Sequence, residues 1–415
     1  MPAAAEAIWT IAALATAGVI LRPWRLAEAI WAVAGAAALV LFGLLPWADA
    51  LRAVGQGTDV YLFLIGMMLL AELARQEGLF DWLAAYATRH ARGSAKRLFA
   101  LVYLVGILVT VFLSNDATAV VLTPAVYAAA RAARAEPLPY LFICAFIANA
   151  ASFVLPISNP ANLVIFGSRM PSLLHWLAAF ALPSALAILA TFVALRLTQG
   201  RALAAAIAGD IDLPRLPDGA GLAASGIAVT ALVLLTASAL DQPLGLPTFL
   251  AGSLSAGLVL LHRRAAPWAL LRGVSWSVLP LVGGLFVLVA GVARTGVLER
   301  LTLALQAMAE RSVDQAAWAA GLLSALACNL ANNLPVGLVA GSIGQGRIPP
   351  QVTRALLIGI DLGPNLSVTG SLATILWLVA LRREGAHVGA WQFLRLGLVV
   401  MPPGLLLALA AVLLA

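Results

Sequence analysis

The sequence predicts an all-α integral membrane protein with two inverted repeats, and three observations support this prediction. Hydrophobic residues make up 62% of the 415 residues, charged residues make up only 10%, and the mean hydropathy is +0.99. Apolar stretches of about 20 residues, the length that crosses a bilayer as a helix, recur along the chain. Short polar islands interrupt these stretches at corresponding positions in the two halves. Each repeat is predicted to contain about five transmembrane spans, one re-entrant hairpin and one broken helix.

Ten apolar stretches are long enough to be spans. They are residues 7–22, 27–46, 59–75, 138–166, 176–198, 222–240, 246–262, 279–295, 352–380 and 391–414. Two of them, 138–166 and 352–380, contain Asn and Pro within the stretch and are predicted to be broken helices. No basic residue precedes the first stretch within residues 1–6, so a retained span is favoured over a cleaved signal peptide.

Two further apolar segments, 98–133 and 315–346, are each cut near the middle by a polar island. Their arms of about 14 to 17 residues would reach roughly 21–25 Å, which is short of a comfortable crossing. Both segments are therefore predicted to be re-entrant helical hairpins. Two ordinary short spans in each place are the alternative.

Loop charges predict how the chain lies in the membrane. Fifteen Lys and Arg residues fall in loops on one predicted side of the membrane. The loops on the other side contain chiefly five, which are Arg52, Arg169, Arg300, Arg311 and Arg347. The positive-inside rule makes the richer side cytoplasmic and places both termini outside a bacterial-type inner (plasma) membrane. Because five spans per half is an odd number, the second half must begin on the opposite side from the first.

This orientation sets the predicted domain organisation. The first repeat is residues 1–199, a polar cytoplasmic linker is 200–220, and the inverted second repeat is 221–415. Residues 80–97 carry aromatics and a basic end, which is typical of an amphipathic helix on the cytoplasmic surface.

An internal match supports the repeat. An offset of 218 residues pairs Gly66 with Gly284, Gly78 with Gly296 and Asn115 with Asn333, and a shorter offset of 203 pairs Asn162 with Asn365. Chance similarity between apolar segments is the alternative explanation.

Four polar islands are predicted to line a binding site within the membrane. They are residues 114–116 (SND), 158–162 (SNPAN), 332–335 (NNLP) and 361–365 (DLGPN). Such residues suit neither lipid nor a helix interior, so the backbone here is predicted to be non-helical and to line a cavity. Paired broken segments in two halves are typical of the substrate site of a secondary transporter.

Neutral side chains that donate or accept hydrogen bonds dominate the islands. The predicted substrate-binding residues are Ser114, Asn115, Ser158, Asn159, Asn162, Asn332, Asn333, Asn365, Ser367 and Thr369. No Lys or Arg lies near an island. A transporter of highly charged anions often uses such a cation, although helix ends and Na⁺ can replace it.

Two carboxyls are predicted to couple transport to protons. Asp116 falls roughly mid-membrane, where an ionised carboxylate costs a few kcal/mol and is seldom kept without a task. A carboxyl that binds a proton from one side of the membrane and releases it to the other would couple transport to protons. The alternative is that Asp116 caps the second hairpin arm. Asp361 is the second candidate, with capping or a structural hydrogen bond as its alternative.

Other classes of function have little support. Cys144 and Cys328 lie in apolar segments and indicate neither a disulfide framework nor a metal cluster. No phosphate-binding Gly-rich loop is present, so an ATPase activity of the chain itself is not expected, nor is a cofactor. The net charge of +7 arises in short loops of a membrane protein and does not indicate a nucleic-acid partner.

The islands, in this order, resemble those of the ArsB-type arsenite/antimonite permeases of the ion-transporter superfamily. The matching segments are residues 112–119 (FLSNDATA), 155–163 (LPISNPANL), 332–335 (NNLP) and 361–374 (DLGPNLSVTGSLAT). The resemblance covers the chain from about residue 59 to its end. It implies a scaffold and a transport domain, with the site where hairpin tips and broken helices meet. It further implies efflux of trivalent arsenite and antimonite, in some members with a soluble ATPase subunit.

Departures from related branches bear on coupling. Sodium-coupled carboxylate carriers repeat Ser-Asn-Thr at both hairpin tips, whereas this chain has Asp116 and Leu334 at the third positions. Asn149 stands where many arsenite permeases carry an acidic residue. Uncharged As(OH)₃ needs hydrogen-bonding oxygens and amides rather than a counter-ion, so the neutral islands fit it. The neutral islands and Leu334 at the second tip both favour proton over sodium coupling.

Several alternatives stay open at this point. A Na⁺/H⁺ antiporter of the same superfamily is the first, and an organic-anion carrier and a passive channel are less favoured. Cys328 lies near the second hairpin tip, and trivalent arsenic is thiophilic. Direct binding to Cys328 is nevertheless less favoured, because a lone thiol more often packs as a small apolar group and a thiolate bond would slow release.

Overall fold

The computed structural model describes residues 2–167, 170–209, 215–343 and 348–414. Arg169, Arg347 and residues 210–214 of the predicted linker lie outside the described residues. The described chain folds into helices joined by short turns. The prediction of an all-helical membrane protein is confirmed.

The first half contains eleven α-helices within the described residues. They are α1 (Pro2–Leu21), α2 (Glu28–Leu41), α3 (Trp47–Gln56), α4 (Thr58–Gln76), α5 (Leu79–His90), α6 (Ala95–Phe112), α7 (Asn115–Ala117), α8 (Thr123–Ala132), α9 (Leu138–Ala150), α10 (Pro160–Phe166) and α11 (Leu173–Thr198). A π-helical turn, Thr118–Leu122, joins α7 to α8, so the three segments form one helical arm.

The second half contains ten α-helices within the described residues. They are α12 (Asp218–Ala239), α13 (Gly245–Arg263), α14 (Trp268–Gly273), α15 (Val278–Ala293), α16 (Val297–Arg311), α17 (Val313–Ala331), α18 (Asn333–Ile343), α19 (Pro350–Leu362), α20 (Leu372–Arg383) and α21 (Ala390–Leu414).

Six of these helices are long and apolar enough to cross a membrane. They are α1, α6, α11, α12, α13 and α21. The number rises to eight if the bent pairs α3–α4 and α15–α16, with bends of 46° and 74°, are each one span. Whether the α6–α8 and α17–α18 hairpins re-enter one side, and whether the halves are inverted, stay predictions.

The residues paired by the 218-residue offset occupy equivalent places in the two halves. Gly78 and Gly296 both adopt positive φ, 73° and 76°, immediately before the amphipathic helices α5 and α16. This conformation is readily available only to glycine. Asn115 and Asn333 each begin the second arm of a hairpin.

Reciprocal packing joins the two halves. Helix α4 packs along α13, and α2 packs along α15. Gly66 and Gly284 permit these crossings, because a Cβ on Gly66 would lie 2.3 Å from the Thr248 carbonyl oxygen and one on Gly284 would lie 2.7 Å from the Ala32 carbonyl carbon. The reciprocity agrees with a repeated unit.

The centre of the molecule is formed by α9 and α19, the first arms of the two broken helices. Every residue of Pro139–Ala150 in α9 is buried. The indole N–H of Trp377 in α20 donates to the Leu141 carbonyl at 2.9 Å, which ties the two broken helices together. Large apolar side chains such as Leu232 and Leu254 are about two-thirds exposed on the periphery, as expected for surfaces that face lipid.

The surface helix predicted over 80–97 is shorter than expected. Helix α5 ends at His90, and Arg92 and Gly93 have φ values of 49° and 78° before α6 begins at Ala95. Two consecutive residues in the left-handed region cannot continue an α-helix, so the chain turns here.

Candidate functional site

A small cavity lies where the two hairpin tips and the two broken helices meet. Its volume is about 10 Å³, which is room for about one water molecule. The lining residues are Leu64, Asn115, Asp116, Asn159, Pro160, Val278, Val282, Asn333, Leu334, Leu372 and Ala373. We call this space the tip cavity. None of the described residues that line it is Lys or Arg.

The first hairpin tip owes its shape to Ser114. This residue is extended, and its Oγ accepts a hydrogen bond from the Ala117 backbone N–H at 3.1 Å, so it is the N-cap of the second arm. The Asn115 Oδ1 atom accepts from the Asp116 backbone N–H at 2.9 Å. The capping role considered for Asp116 therefore belongs to Ser114. The Asp116 side chain lines the tip cavity instead.

The second hairpin tip turns at Asn332, which has φ 71° and ψ 154°. This backbone region is strongly disfavoured for residues with a Cβ, so surrounding bonds must hold it. The Asn332 Nδ2 donates to the Thr369 carbonyl at 3.2 Å, and the Asn333 backbone N–H donates to the Gly370 carbonyl at 2.9 Å. The tip is thereby fastened to the break between α19 and α20.

Two reciprocal hydrogen bonds link the broken helices. The Asn159 Nδ2 donates to Asp361 Oδ1 at 2.7 Å, and the Asn149 Nδ2 donates to Asn365 Oδ1 at 3.0 Å. Asn149 and Asp361 are each the penultimate residue of a 13-residue first arm, α9 or α19. The same position thus carries an amide in one half and a carboxyl in the other.

The cavity contains four of the twelve predicted site residues, namely Asn115, Asp116, Asn159 and Asn333. Asp361 is fully buried and is not among the lining residues, but it accepts the hydrogen bond from Asn159, which is. Roles in substrate binding and proton coupling stay predictions for all twelve.

Other predicted residues bond within the protein. The Ser158 Oγ donates to the Val111 carbonyl at 3.1 Å, and the Asn162 Nδ2 donates to the Ser152 carbonyl at 2.9 Å. The Asn365 Nδ2 donates to the Phe146 carbonyl at 3.1 Å. These bonds tie the islands to backbone carbonyls of α6, α9 and the first break.

Ser367 and Thr369 belong to a separate polar cluster around Asn329. The Ser367 Oγ donates to Asn329 Oδ1 at 2.6 Å, and the Thr369 Oγ1 donates to the Asn329 carbonyl at 3.0 Å. The Asn329 Nδ2 in turn donates to the Gly363 carbonyl at 3.0 Å. This cluster joins α17 to the second broken helix.

Sequence reasoning did not select several residues that build the site. Asn329 and Asn149 were both visible as amides within apolar helices, and a 212-residue offset pairs Asn149 with Asp361. Leu64, Val278 and Val282 offered no signal, because apolar side chains in apolar spans look alike whichever way they face.

Four buried side-chain oxygens at or near the site have no hydrogen-bond partner among the described residues. They are Asn149 Oδ1, Asn162 Oδ1, Asn333 Oδ1 and Asp361 Oδ2. An unsatisfied buried acceptor costs about 1–3 kcal/mol, so a cluster of them needs an explanation. Amide and carboxylate oxygens can accept hydrogen bonds from the O–H groups of a ligand. Asn333 Oδ1 belongs to a residue that lines the tip cavity.

The two cysteines lie away from the cavity lining. Cys144 and Cys328 are fully buried, and the Cys328 thiol lies 3.7 Å from the Ile360 carbonyl oxygen. Among the described residues no group of three His, Cys, Asp or Glu side chains could hold a metal ion. Cys328 therefore packs as part of the α17–α19 contact.

Comparison with known proteins identifies related transporters. Residues 12–359 match the family CitMHS, described as citrate transporter. The chain is 29% identical over 366 residues to the "Arsenical pump membrane protein" of Yersinia enterocolitica and 28% identical over 370 residues to that of Escherichia coli K12, each match covering 84% of both chains. It is 26% identical to the "Uncharacterized transporter Rv2684" of Mycobacterium tuberculosis over 94% of both chains.

A solved structure has a similar fold. The Alcanivorax borkumensis YdaH transporter, whose crystal structure "reveals an unusual topology", matches with a TM-score of 0.56 and 17% identity, over 88% of this chain and 86% of that one. At this identity the likeness concerns the fold alone. The resemblance to ArsB-type permeases inferred from the polar islands is confirmed by the sequence relatives.

Proposed function

The chain belongs to the CitMHS family of transporters, and on that premise we propose that it exports trivalent arsenite and antimonite in exchange for protons. It would be a secondary active transporter that works by alternating access in the plasma membrane. The names of the relatives in Yersinia enterocolitica and Escherichia coli support the choice of substrate.

The chemistry of the tip cavity carries the proposal. Trivalent arsenic at neutral pH is As(OH)₃, an uncharged molecule with three O–H donors. The residues that line the cavity include Asn333, whose buried Oδ1 has no partner among the described residues, two further amides and a carboxyl, and none of those described is Lys or Arg. Donors on the ligand and acceptors on the protein are complementary.

Citrate, the substrate in the family's name, fits this cavity poorly. A tricarboxylate supplies acceptors and negative charge, so its site needs donors or cations. An ionised Asp116 carboxyl would instead face it with like charge, and no Lys or Arg of the described lining would offset that charge. An organic-anion carrier is therefore not supported by the geometry.

Proton exchange is assigned to Asp116. Its carboxyl lines the cavity and receives no hydrogen bond from the described residues, whereas Asp361 is held by Asn159. A carboxyl next to the substrate can bind arsenite in one protonation state and release it in the other. We assign Asp361 the supporting role of orienting Asn159, with a direct part in coupling as the alternative.

Substrate binding requires the cavity to open. A space of about 10 Å³ does not admit As(OH)₃, so the hairpin tips must move away from α4 and α15 for entry or exit. The proton gradient would drive this cycle without ATP. A soluble ATPase subunit, implied by the ArsB resemblance, would be an addition rather than a requirement.

Arsenite uptake into everted membrane vesicles tests the substrate. Respiring vesicles from cells that produce the chain should accumulate arsenite, and unlabelled antimonite should compete whereas citrate should not. Uptake should disappear with a protonophore. Accumulation of labelled citrate without any accumulation of arsenite would overturn the proposal. Na⁺-dependent proton movement without arsenic would favour the Na⁺/H⁺ antiporter instead.

A further inference from the structure

A second, larger cavity lies next to the tip cavity. Its volume is about 750 Å³, and its walls are formed by α4, α10, α15 and α18 together with the turn between α12 and α13. Asp59, Ser238, Asp241 and Gln242 give this space a polar lining. We call it the vestibule. The loop charges predict that these residues lie at the extracytoplasmic end of their spans.

Ser238 adds a buried hydroxyl to the wall of the vestibule. Ser238 is only 4% exposed and lines the vestibule, yet its Oγ has no hydrogen-bond partner among the described residues. A helical serine usually satisfies its hydroxyl on the preceding turn. The hydroxyl oxygen itself is closed off from the vestibule, so Ser238 contributes a buried polar group to this wall.

The same four helices line both the vestibule and the tip cavity, with residues three or four positions apart. On α4, Val60 lines the vestibule and Leu64 lines the tip cavity; on α15, Phe286 and Val282 do the same. The corresponding pairs are Leu163 and Pro160 on α10, and Leu338 and Leu334 on α18. Residues three or four apart on a helix are separated by about one turn, or roughly 5.4 Å. A single apolar layer therefore separates the two spaces.

We propose that the vestibule is the outer part of the substrate path and that Val60, Leu163, Phe286 and Leu338 form its gate. These four residues are called the apolar ring. This inference rests on the proposed transport function and adds to it the route and the barrier. Two ring members lie on α4 and α15, and two on the hairpin and broken-helix elements α18 and α10.

The position of the ring explains how it can open. Helix α4 packs against α10, and α15 packs against α18, so the ring lies across both contacts. Any separation of the hairpin and broken helices from α4 and α15 pulls the two halves of the ring apart. Opening the ring and releasing the tips are then one movement.

The ring also provides selectivity. An apolar constriction one turn thick imposes a large dehydration penalty on an ion and a smaller one on an uncharged molecule such as As(OH)₃. Arsenite in its uncharged form would therefore cross more readily than citrate or another organic anion. Specificity would then arise at the gate as well as at the tip cavity.

Cysteine labelling of intact cells tests the gate without any arsenic. The reporter in the vestibule is Ser342→Cys, whose native side chain is exposed, and the reporter in the tip cavity is Val282→Cys. The native Cys144 and Cys328 are fully buried and should label slowly. The probe is a membrane-impermeant methanethiosulfonate added outside.

With the ring intact, Val282→Cys should react at least about tenfold more slowly than Ser342→Cys, because the ring blocks the reagent. Adding Leu338→Ala, or separately Phe286→Ala, should raise the Val282→Cys rate by about tenfold and leave the Ser342→Cys rate nearly unchanged. The matched control is Leu254→Ala, which shortens a lipid-facing leucine that is 64% exposed. It should change neither rate.

Equal labelling of both reporters with the ring intact would overturn the gate. So would a Val282→Cys rate that neither ring variant raises, provided that each variant elutes as a folded species on size exclusion. Failure of Ser342→Cys to label from outside would overturn the predicted side of the vestibule. Labelling as expected in a protein that does not move arsenite would keep the gate and contradict the substrate, so the two failures are distinguishable.

Discussion

The Asn159 side chain donates a 2.7 Å hydrogen bond to Asp361, and its counterpart in the other half is the 3.0 Å bond from Asn149 to Asn365. Each bond joins the break of one broken helix to the last turn of the other helix's first arm. The two breaks therefore depend on each other. A carboxyl takes part in only one of the two bonds, which makes an otherwise reciprocal arrangement chemically asymmetric.

Asn159→Ala should destabilise the protein more than Asp361→Asn does. The first change leaves a buried carboxyl oxygen without its donor, a loss of about 1–3 kcal/mol. The second keeps an acceptor for the Asn159 amide and removes only the acidic group. Thermal unfolding in detergent measures the difference, and transport by Asp361→Asn shows whether the acid itself is needed. Equal destabilisation by both would contradict this account of the bond.

Asn149→Asp should be destabilising, although it makes the two halves more alike. The new carboxylate has no N–H group to donate to Asn365 Oδ1, so two acceptor oxygens would face each other. We expect a loss of about 1–3 kcal/mol in the free energy of unfolding. The exposed change Gln315→Glu is the matched control and should have almost no effect. A neutral outcome for Asn149→Asp would mean that Asn365 can reorient to donate.

The sequence predicted the helices well because a bilayer restricts what can span it. Hydropathy located the long apolar helices, and the Asn- and Pro-containing islands located the places where helices break. Helices α3, α14 and α16 were not predicted, since their mixed composition resembles that of loops. The direction of each side chain within an island could not be derived from composition. Asn162 bonds locally to Ser152 and Ser158 bonds to Val111 of α6, whereas Asn159 between them reaches α19.

The tip cavity was predictable only in part for the same reason. Polar residues within the membrane indicate a site. The cavity is indeed lined by Asn115, Asp116, Asn159 and Asn333. Its other wall comes from apolar residues of α4 and α15 whose role arises from tertiary packing. The pairing of Asn149 with Asp361 needed an offset six residues shorter than the one that aligns the glycines, 212 against 218.

Asn332→Gly should be tolerated better than Asn332→Val. The backbone of Asn332 has φ 71° and ψ 154°, a region that glycine enters freely and a β-branched residue does not. Both variants lose the hydrogen bond from Nδ2 to the Thr369 carbonyl, so that loss cancels in the comparison. The valine variant should be less stable than the glycine variant by about 1–3 kcal/mol in thermal unfolding. Equal stability would contradict the strained tip.

Gly66→Ala and Gly284→Ala should each destabilise the protein by about 1–3 kcal/mol, because the added Cβ would collide with backbone atoms of α13 and α2. The matched control is Gly257→Ala in α13, where a Cβ would meet nothing within 4 Å. That change should stabilise the helix by roughly 0.5–1 kcal/mol. Thermal unfolding of the three variants checks the contrast. Similar effects at all three positions would argue against the close helix crossings.

The central claim is that the chain moves uncharged trivalent arsenic in exchange for protons bound at Asp116. Proteoliposomes with an imposed pH gradient, acidic inside and without ATP, test it most directly, because outward proton flow should drive arsenite inward through exchangers of either orientation. We expect concentrative uptake by the wild type and by Asp314→Asn, an exposed control, and none by Asp116→Asn. Gradient-driven uptake that survives in Asp116→Asn would contradict the coupling, and arsenite that only equilibrates in the wild type would identify a passive channel.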